Sequence, residues 1–151
     1  MYDPNAKRER RPLYSFKTGA TYEGEWVGGF RDGYGVQQWP DGACYEGQWK
    51  DNRAHGRGKF THIDGDVYEG DWVNDKANGS GVYHHINGAM YEGQWKDDLQ
   101  HGQGKESWTD GSVYEGQYMA GKKHGYGLYS WNDGSKYQGD WYENKIKGFG
   151  T

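Results

Sequence analysis

With 151 residues, the chain has the length of a single domain. Only 32% of its residues are hydrophobic but 17% are aromatic, so any core must be built from rings more than from aliphatic side chains. Residues 22–151 carry 13 lysines and arginines against 20 aspartates and glutamates, and this net charge of -7 argues against a nucleic-acid-binding protein.

The first 12 residues contain a basic cluster of Lys7, Arg8, Arg10 and Arg11, which predicts a solvated N-terminal arm. The segment 13–17 is predicted to be an opening strand. Cys44 is the only cysteine, so no internal disulfide is expected, which fits a reducing, cytoplasmic setting. No apolar run approaches the length of a membrane span, and no signal peptide is recognisable.

From residue 13 onward the chain is predicted to be one repeat array, 13–151. A segment that begins Tyr-x-Gly recurs every 23 residues, and its first tyrosine stands at Tyr22, Tyr45, Tyr68, Tyr91, Tyr114 and Tyr137. A constant period of this length indicates stacked copies of one supersecondary unit. The sixth copy stops at Thr151 before it is complete, so we expect the chain to belong to a longer protein.

Each repeat is predicted to be a β-hairpin. In Tyr22-Glu23-Gly24-Glu25-Trp26, ring and glycine alternate with polar residues, which is typical of a strand with one buried face. A Gly-x-Gly segment such as Gly33–Gly35 opens the second strand after a polar loop. Asp-Gly or Asn-Gly pairs, such as Asp41-Gly42, then favour a tight turn into the next repeat. We predict an all-β fold, an extended single-layer antiparallel meander of roughly 12 twisted strands.

The pattern YEGxW…HGxGxxxxxDGxxYEG resembles the MORN repeat (membrane occupation and recognition nexus) over residues 14–151. Departures are few: Tyr118 stands for tryptophan, Gln138 stands for glutamate, and the histidine before glycine is replaced by Asp32, Asn78 and Lys147. The resemblance implies a structural role in ciliary radial spokes, in membrane-associated cytoskeleton or at membrane junctions. It also includes arrays attached to lipid kinases and to a SET-domain methyltransferase, so a targeting region of a larger enzyme is an alternative.

We find no nucleophile–base arrangement, and we expect no catalytic activity, no metal and no cofactor. The glutamate row (Glu23, Glu46, Glu69, Glu92 and Glu115) is interpreted as a solvated face or as cross-strand partners of lysines such as Lys59 and Lys105. His55, His101 and His124 share one repeat position and are interpreted as caps of backbone groups, not metal ligands.

Two surfaces are candidates for binding. The first is a groove of rings for a protein partner or a second copy, unless adjacent rings cover one another. Its predicted residues are Tyr22, Trp26, Tyr45, Trp49, Tyr68, Trp72, Tyr91, Trp95, Tyr114, Tyr118, Tyr137 and Trp141. The second is a basic rim for phosphoinositides or another anionic partner, diluted by neighbouring acids. Its predicted residues are Arg31, Arg53, Lys76, Lys122, Lys123 and Lys145.

The leading hypothesis is therefore a non-enzymatic scaffold in the cytoplasm, in a ciliary axoneme or in a membrane-associated cytoskeleton. Contact with a second copy or with another partner is expected at the sheet end near 137–151. Peripheral attachment to an anionic membrane is the second hypothesis.

Overall fold

The structure is a computed structural model that describes residues 7–147. Every regular element in this range is a β-strand, and the strands follow one another in the sheet in the order in which they occur in the chain. The prediction of an all-β antiparallel meander of 23-residue hairpins is confirmed. The chain divides into two compact units, Met1–Lys76 (unit 1) and Ala77–Thr151 (unit 2), which are described separately.

Unit 1 is formed by six strands. They are β1 Arg8–Ser15, β2 Thr21–Val27, β3 Phe30–Gln38, β4 Cys44–Lys50, β5 Arg53–Thr61 and β6 Val67–Val73. The first strand starts at Arg8 instead of Leu13, because Arg8, Glu9 and Arg10 pair with Val27, Trp26 and Glu25 of β2. The arginines of the predicted arm thus belong to a strand, while residues 1–6 lie outside the described range.

Seven further strands lead into and through unit 2. They are β7 Lys76–His84, β8 Met90–Lys96, β9 Leu99–Ser107, β10 Val113–Met119, β11 Lys122–Ser130, β12 Lys136–Tyr142 and β13 Lys145–Ile146. The described residues thus hold 13 strands instead of roughly 12, since the incomplete sixth repeat adds the two-residue strand β13.

The turns inside each repeat are tighter than predicted. In β4–β5 the chain reverses over two residues, Asp51 and Asn52, whose φ angles are 50° and 70°. Two successive positive φ angles are typical of a type I′ turn, whose twist matches that of the strands. The second strand therefore begins directly after the turn, at Arg53. The polar loop that the sequence predicts between the two strands of this repeat, KDNRAHG at residues 50–56, is thus mostly strand.

The Asp-Gly and Asn-Gly pairs lie in wider loops between repeats. Around Asp41, the Trp39 amide donates to the Ala43 carbonyl at 2.9 Å, and the Gly42 amide donates to the Trp39 carbonyl at 3.0 Å. Gly42 has a φ of 100°, and the Asp41 carboxylate accepts a hydrogen bond from the Ala43 amide at 2.9 Å. The acidic residue and the glycine each have a defined part in closing the loop.

A bulge in each hairpin explains the Gly-x-Gly segment. In β2–β3 the register passes from Gly24↔Gly35 to Trp26↔Arg31, so three residues of β3 lie opposite Glu25 alone. Gly33 takes a φ of 101° in this bulge. The Tyr34 amide is satisfied by the Glu25 carboxylate at 2.6 Å. The repeat therefore requires a carboxylate or an amide side chain at the position of Glu25.

The second glycine of the segment makes room for a tyrosine. A Cβ atom at Gly35 would overlap the ring and hydroxyl of Tyr22, and Gly58 stands in the same relation to Tyr45. The Tyr22 hydroxyl donates to the Glu25 carbonyl at the bulge, at 2.8 Å. Each tyrosine thus lies across the hairpin and satisfies a carbonyl that the bulge removes from the regular ladder.

Candidate functional site: the aromatic face and its cation positions

In each unit, the first tyrosine of every repeat and the ring four residues later lie on one face of the strands, which we call the aromatic face. In unit 1 the Tyr22 ring meets Trp26 at 5.1 Å and Trp49 at 5.4 Å between ring centroids, both edge to face. In unit 2 Tyr114 meets Tyr118 at 5.2 Å and Trp141 at 5.4 Å in the same way. Edge-to-face pairs contribute about 0.5–1.5 kcal/mol each beyond their buried area.

The structure corrects the predicted groove, because rings of adjacent hairpins cover one another. Of its 12 residues, the buried ones are Tyr22, Trp26, Tyr45, Trp49, Tyr68, Tyr91, Tyr114, Tyr118, Tyr137 and Trp141. Trp72 and Trp95 are half-buried. These rings form the core of each unit, so contact of a partner with them stays a prediction only for the two half-buried indoles.

Four of the five indoles in the predicted groove share one hydrogen bond. Trp49, Trp72, Trp95 and Trp141 each donate to the carbonyl of a glycine 14 residues earlier, at 3.0–3.3 Å. Trp26 is the exception, since its buried Nε1 finds no partner among the described residues. Tyr118 also departs from the pattern, and its hydroxyl donates to the Glu106 carboxylate at 2.6 Å.

A second set of rings on the aromatic face remains accessible, and sequence reasoning missed it. Trp39, Phe60, Trp108 and Tyr129 are half-buried against the cores, and Trp131 is 36% exposed; we call these five residues the outer row. The signal was present, because Trp39, Trp108 and Trp131 share one repeat position and Phe60 and Tyr129 share another. The outer row is therefore a part of the aromatic face that is accessible from solvent.

Arg31 does not lie on the predicted rim, because its side chain is folded onto the aromatic face. The guanidinium carbon lies 4.7 Å from the Trp49 ring centroid and 5.4 Å from that of Phe16. The side chain also donates to the Gln37 side chain and to the Asn52 side-chain oxygen. Burial lowers the pKa of Arg31. Its charge is used inside unit 1 and is not offered to an anionic surface.

Lys123 occupies the same repeat position and is likewise withdrawn from the rim. Its Nζ atom lies near four ring centroids, those of Trp108 at 5.1 Å, Tyr114 at 5.5 Å, Tyr129 at 5.9 Å and Trp141 at 6.0 Å. Burial lowers the pKa of this lysine, and the nearby Glu106 opposes the shift. The ammonium group is thus held in an aromatic cage within unit 2.

The other four predicted rim residues are exposed. Arg53, Lys76, Lys122 and Lys145 each open the strand that follows a two-residue turn. Lys122 forms an exposed ion pair with Glu143 at 3.5 Å. Each unit therefore presents two of these cations, at the end of the hairpins that lies away from the Asp-Gly loops.

The opposite, polar face of the sheet contains the glutamate row. Glu46 and Glu69 are exposed on either side of Lys59 in the register of β4, β5 and β6. Glu92 and Glu115 flank Lys105 in the same way in unit 2. The Tyr34 hydroxyl donates to Glu46 at 2.5 Å. This register agrees with cross-strand charge pairing.

The histidine position shows no metal cluster in residues 7–147, where no three of the side chains of His, Cys, Asp and Glu come together. The Nδ1 atom of His55 is buried without a hydrogen-bond partner within this range. The His124 ring packs at 5.2 Å from that of Tyr142.

Burial raises the pKa of the Cys44 thiol.

The two ends of the array differ. At β1 a groove of about 510 Å³ is lined by Leu13, Tyr14, Phe16 and Trp26 among others. At the other end Tyr142 is 53% and Ile146 45% exposed, and residues 148–151 of the predicted contact with a second copy or partner lie outside the described range.

No helix among the described residues has the length and hydropathy for crossing a membrane.

Comparison with known proteins agrees with this geometry. The model of the MORN repeat matches six consecutive segments, residues 22–44, 45–67, 68–90, 91–113, 114–136 and 137–151. No curated protein matches the chain. MORN repeats are generally modules that interact with proteins or with membranes. Since the six segments cover most of the sequence and each coincides with one hairpin register, the chain belongs to the MORN-repeat family.

Proposed function

We propose that this chain is a non-enzymatic scaffold that holds other proteins, or further copies of itself, against its aromatic face. The main support is the outer row, because half-exposed rings over a rigid sheet are the surface that aromatic-rich interfaces use. The buried rings beneath hold the outer row in a fixed shape. Binding of a partner would therefore cost little free energy for ordering these side chains.

We propose that the chain acts in the cytoplasm, in a ciliary axoneme or in a cytoskeleton associated with a membrane. The family resemblance is the support for this part of the proposal. A tagged chain expressed in a ciliated cell should remain in the detergent-insoluble cytoskeletal fraction. Recovery of the chain only in the soluble fraction would contradict this setting.

The test of the scaffold compares two double variants. Trp39→Ala with Trp108→Ala removes one outer-row ring from each unit, whereas Glu46→Ala with Glu92→Ala changes the polar face. Quantitative co-purification should lose a defined set of proteins in the first variant and keep it in the second. Circular dichroism would establish that both variants keep their strands. Equal retention by both folded variants would refute binding through the aromatic face.

A second candidate function is attachment to an anionic membrane, because Arg53, Lys76, Lys122 and Lys145 are all exposed at one end of their hairpins. Changing all four residues to glutamine should abolish flotation of the chain with phosphoinositide liposomes. The matched control changes four other exposed lysines, Lys17, Lys59, Lys105 and Lys136, and alters the net charge equally. If both quadruple variants lose flotation to the same extent, the attraction is unspecific and the rim has no special part.

A further inference from the structure

One repeat position on the aromatic face is a cation position. From β3 to β11 this position is occupied in turn by Arg31, Ala54, Ala77, Gln100 and Lys123. In the first and the last of these, the protein's own cation lies over the rings. The fold therefore accepts a positive charge at this place, and the aromatic side chains around it are arranged to receive one.

The cage around Lys123 has a complete counterpart in unit 1. The rings near Lys123 are Trp108, Tyr114, Tyr129 and Trp141, and a shift of three 23-residue repeats places Trp39, Tyr45, Phe60 and Trp72 in the same positions around Ala54. All four positions are aromatic again. The residue that would supply the cation is alanine, whose side chain ends at Cβ and which is 4% exposed.

Neighbouring rings around Ala54 lie about as far apart as those around Lys123, but they meet at interplanar angles of 67° and 66° instead of 27° and 35°. The ring centroids around Ala54 are 5.9 Å apart for Trp39 and Phe60 and 6.2 Å apart for Phe60 and Trp72. The corresponding distances in the Lys123 cage are 5.5 Å and 5.9 Å. Trp39, Phe60 and Trp72 are all half-buried, so the cage has a side that faces solvent.

The acceptor that faces the backbone amide of the cation position differs in charge between the filled cages and the one at Ala54. Where the protein fills the cage itself, the residue 21 positions later is an asparagine: Asn52 accepts from the Arg31 amide at 2.8 Å and Asn144 from the Lys123 amide at 2.9 Å. At Ala54 the same acceptor is the carboxylate of Asp75, at 2.8 Å. The cage that lacks its own cation thus has a neighbouring carboxylate, as the Lys123 cage has Glu106, and this carboxylate of Asp75 also attracts Arg31.

We propose that the rings of Trp39, Tyr45, Phe60 and Trp72, with Asp75 beside them, form a binding site for one lysine or arginine side chain of a partner protein. This inference rests on the proposed scaffold function and specifies the chemistry of the partner. A cationic side chain that enters from solvent would take the place that Lys123 takes in unit 2.

The experiment uses short peptides, each with one cationic side chain, in place of a natural partner. Acetyl-Gly-Arg-Gly-amide and acetyl-Gly-Lys-Gly-amide are titrated into the ¹⁵N-labelled chain, and the indole resonances are followed by NMR. Those of Trp39 and Trp72 should shift saturably, with a dissociation constant on the order of millimolar. The indoles of Trp108 and Trp141 should not respond, since Lys123 occupies their cage.

Three variants sharpen the result. Ala54→Lys should abolish the response, because the protein then fills its own cage. Lys123→Ala should make Trp108 and Trp141 respond as Trp39 and Trp72 do. Asp75→Asn keeps the acceptor for the Ala54 amide and should weaken binding about two- to fivefold.

The proposal is overturned if neither cationic peptide shifts Trp39 and Trp72, or if the control peptide acetyl-Gly-Gln-Gly-amide shifts them equally. A saturable response to phosphocholine without one to the peptides would also overturn it, in favour of a lipid headgroup. These outcomes are separate from the scaffold test: loss of co-purification in the Trp39/Trp108 variant would still support the scaffold if the cage bound no cation.

Discussion

Units 1 and 2 are built on the same lattice of rings but fill it differently. In unit 1 Arg31 lies over Phe16 and Trp49, and the next cation position is Ala54. In unit 2 Lys123 lies among four rings, and Tyr118 bonded to Glu106 replaces an indole. The comparison shows that the 23-residue repeat determines the backbone and the tyrosine-over-glycine contact, whereas single substitutions decide where charge is stored and where a cage is left for a guest.

The largest expected effect is alkaline unfolding of both units. Burial raises the pKa of Tyr22 and of Tyr114 to about 12, from 10.0. Since the unfolded tyrosines ionise first, stability is complete below pH 10 and is lost as the pH rises towards 12. Tyrosinate absorbance and NMR should report unfolding of both units in this window. Persistence of one unit at pH 12 would break the equivalence of the two lattices.

The tyrosine-over-glycine contact is tested by one alanine in each unit. Gly58→Ala and Gly104→Ala place a Cβ atom into Tyr45 and Tyr91, and each should cost about 3 kcal/mol of unfolding free energy. Gly29→Ala is the control, because a Cβ atom at Gly29 meets nothing within 4 Å. Denaturant titration measures the three variants, and a loss in only one unit would show that the contact is not shared.

The hydrogen bond of Tyr118 distinguishes unit 2. Glu106→Ala removes the acceptor of the Tyr118 hydroxyl, and a buried hydroxyl without a partner should cost about 2 kcal/mol. The exposed Glu115→Ala should change stability by about 0.5 kcal/mol or less. The same denaturant titration compares them. Equal effects would mean that the hydroxyl finds another acceptor or water.

The caged cation should contribute less. Lys123→Met keeps the aliphatic stem and removes the ammonium, and the lost cation–π attraction should cost about 1 kcal/mol. Its neighbour Lys122 is exposed and provides the matched control Lys122→Met. A destabilisation in Lys122→Met as large as that in Lys123→Met would show that the cage does not hold the charge.

The smallest effect is expected at a turn. Ala120 takes a φ of 50°, at a position where Asp51, Asn74 and Asp97 stand in other repeats. Asparagine tolerates this region better than alanine does, so Ala120→Asn should stabilise unit 2 by about 0.5 kcal/mol. Thermal unfolding measures the gain in stability. Gly121→Asn would not test the same point, because it changes the second residue of the turn instead of the first. A loss of stability would show that Ala120 is held by contacts other than its turn.

Much of the fold was predictable from the spacing of glycine, tyrosine and tryptophan, because a strict period repeats each backbone contact. The two-residue turns were not, since KDNRAHG carries turn-forming residues along its whole length and only the bulge at glycines such as Gly56 sets the register. The outer row was readable from Trp39, Trp108 and Trp131, which share a repeat position. Of the candidate rim, Arg53, Lys76, Lys122 and Lys145 are exposed, and their binding to an anionic lipid stays a prediction.

The sequence by itself determined the repeat, the alternation of strands and the sign of the charge, since these depend only on local pattern. Tertiary structure alone decided which rings are buried, because burial of Tyr22 depends on Trp49 of the next hairpin. It also decided that Arg31 and Lys123 leave the rim, since a long side chain turns to whichever face offers it rings and acceptors. The cage at Ala54 can be recognised only by comparison with the rings that surround Arg31 and Lys123.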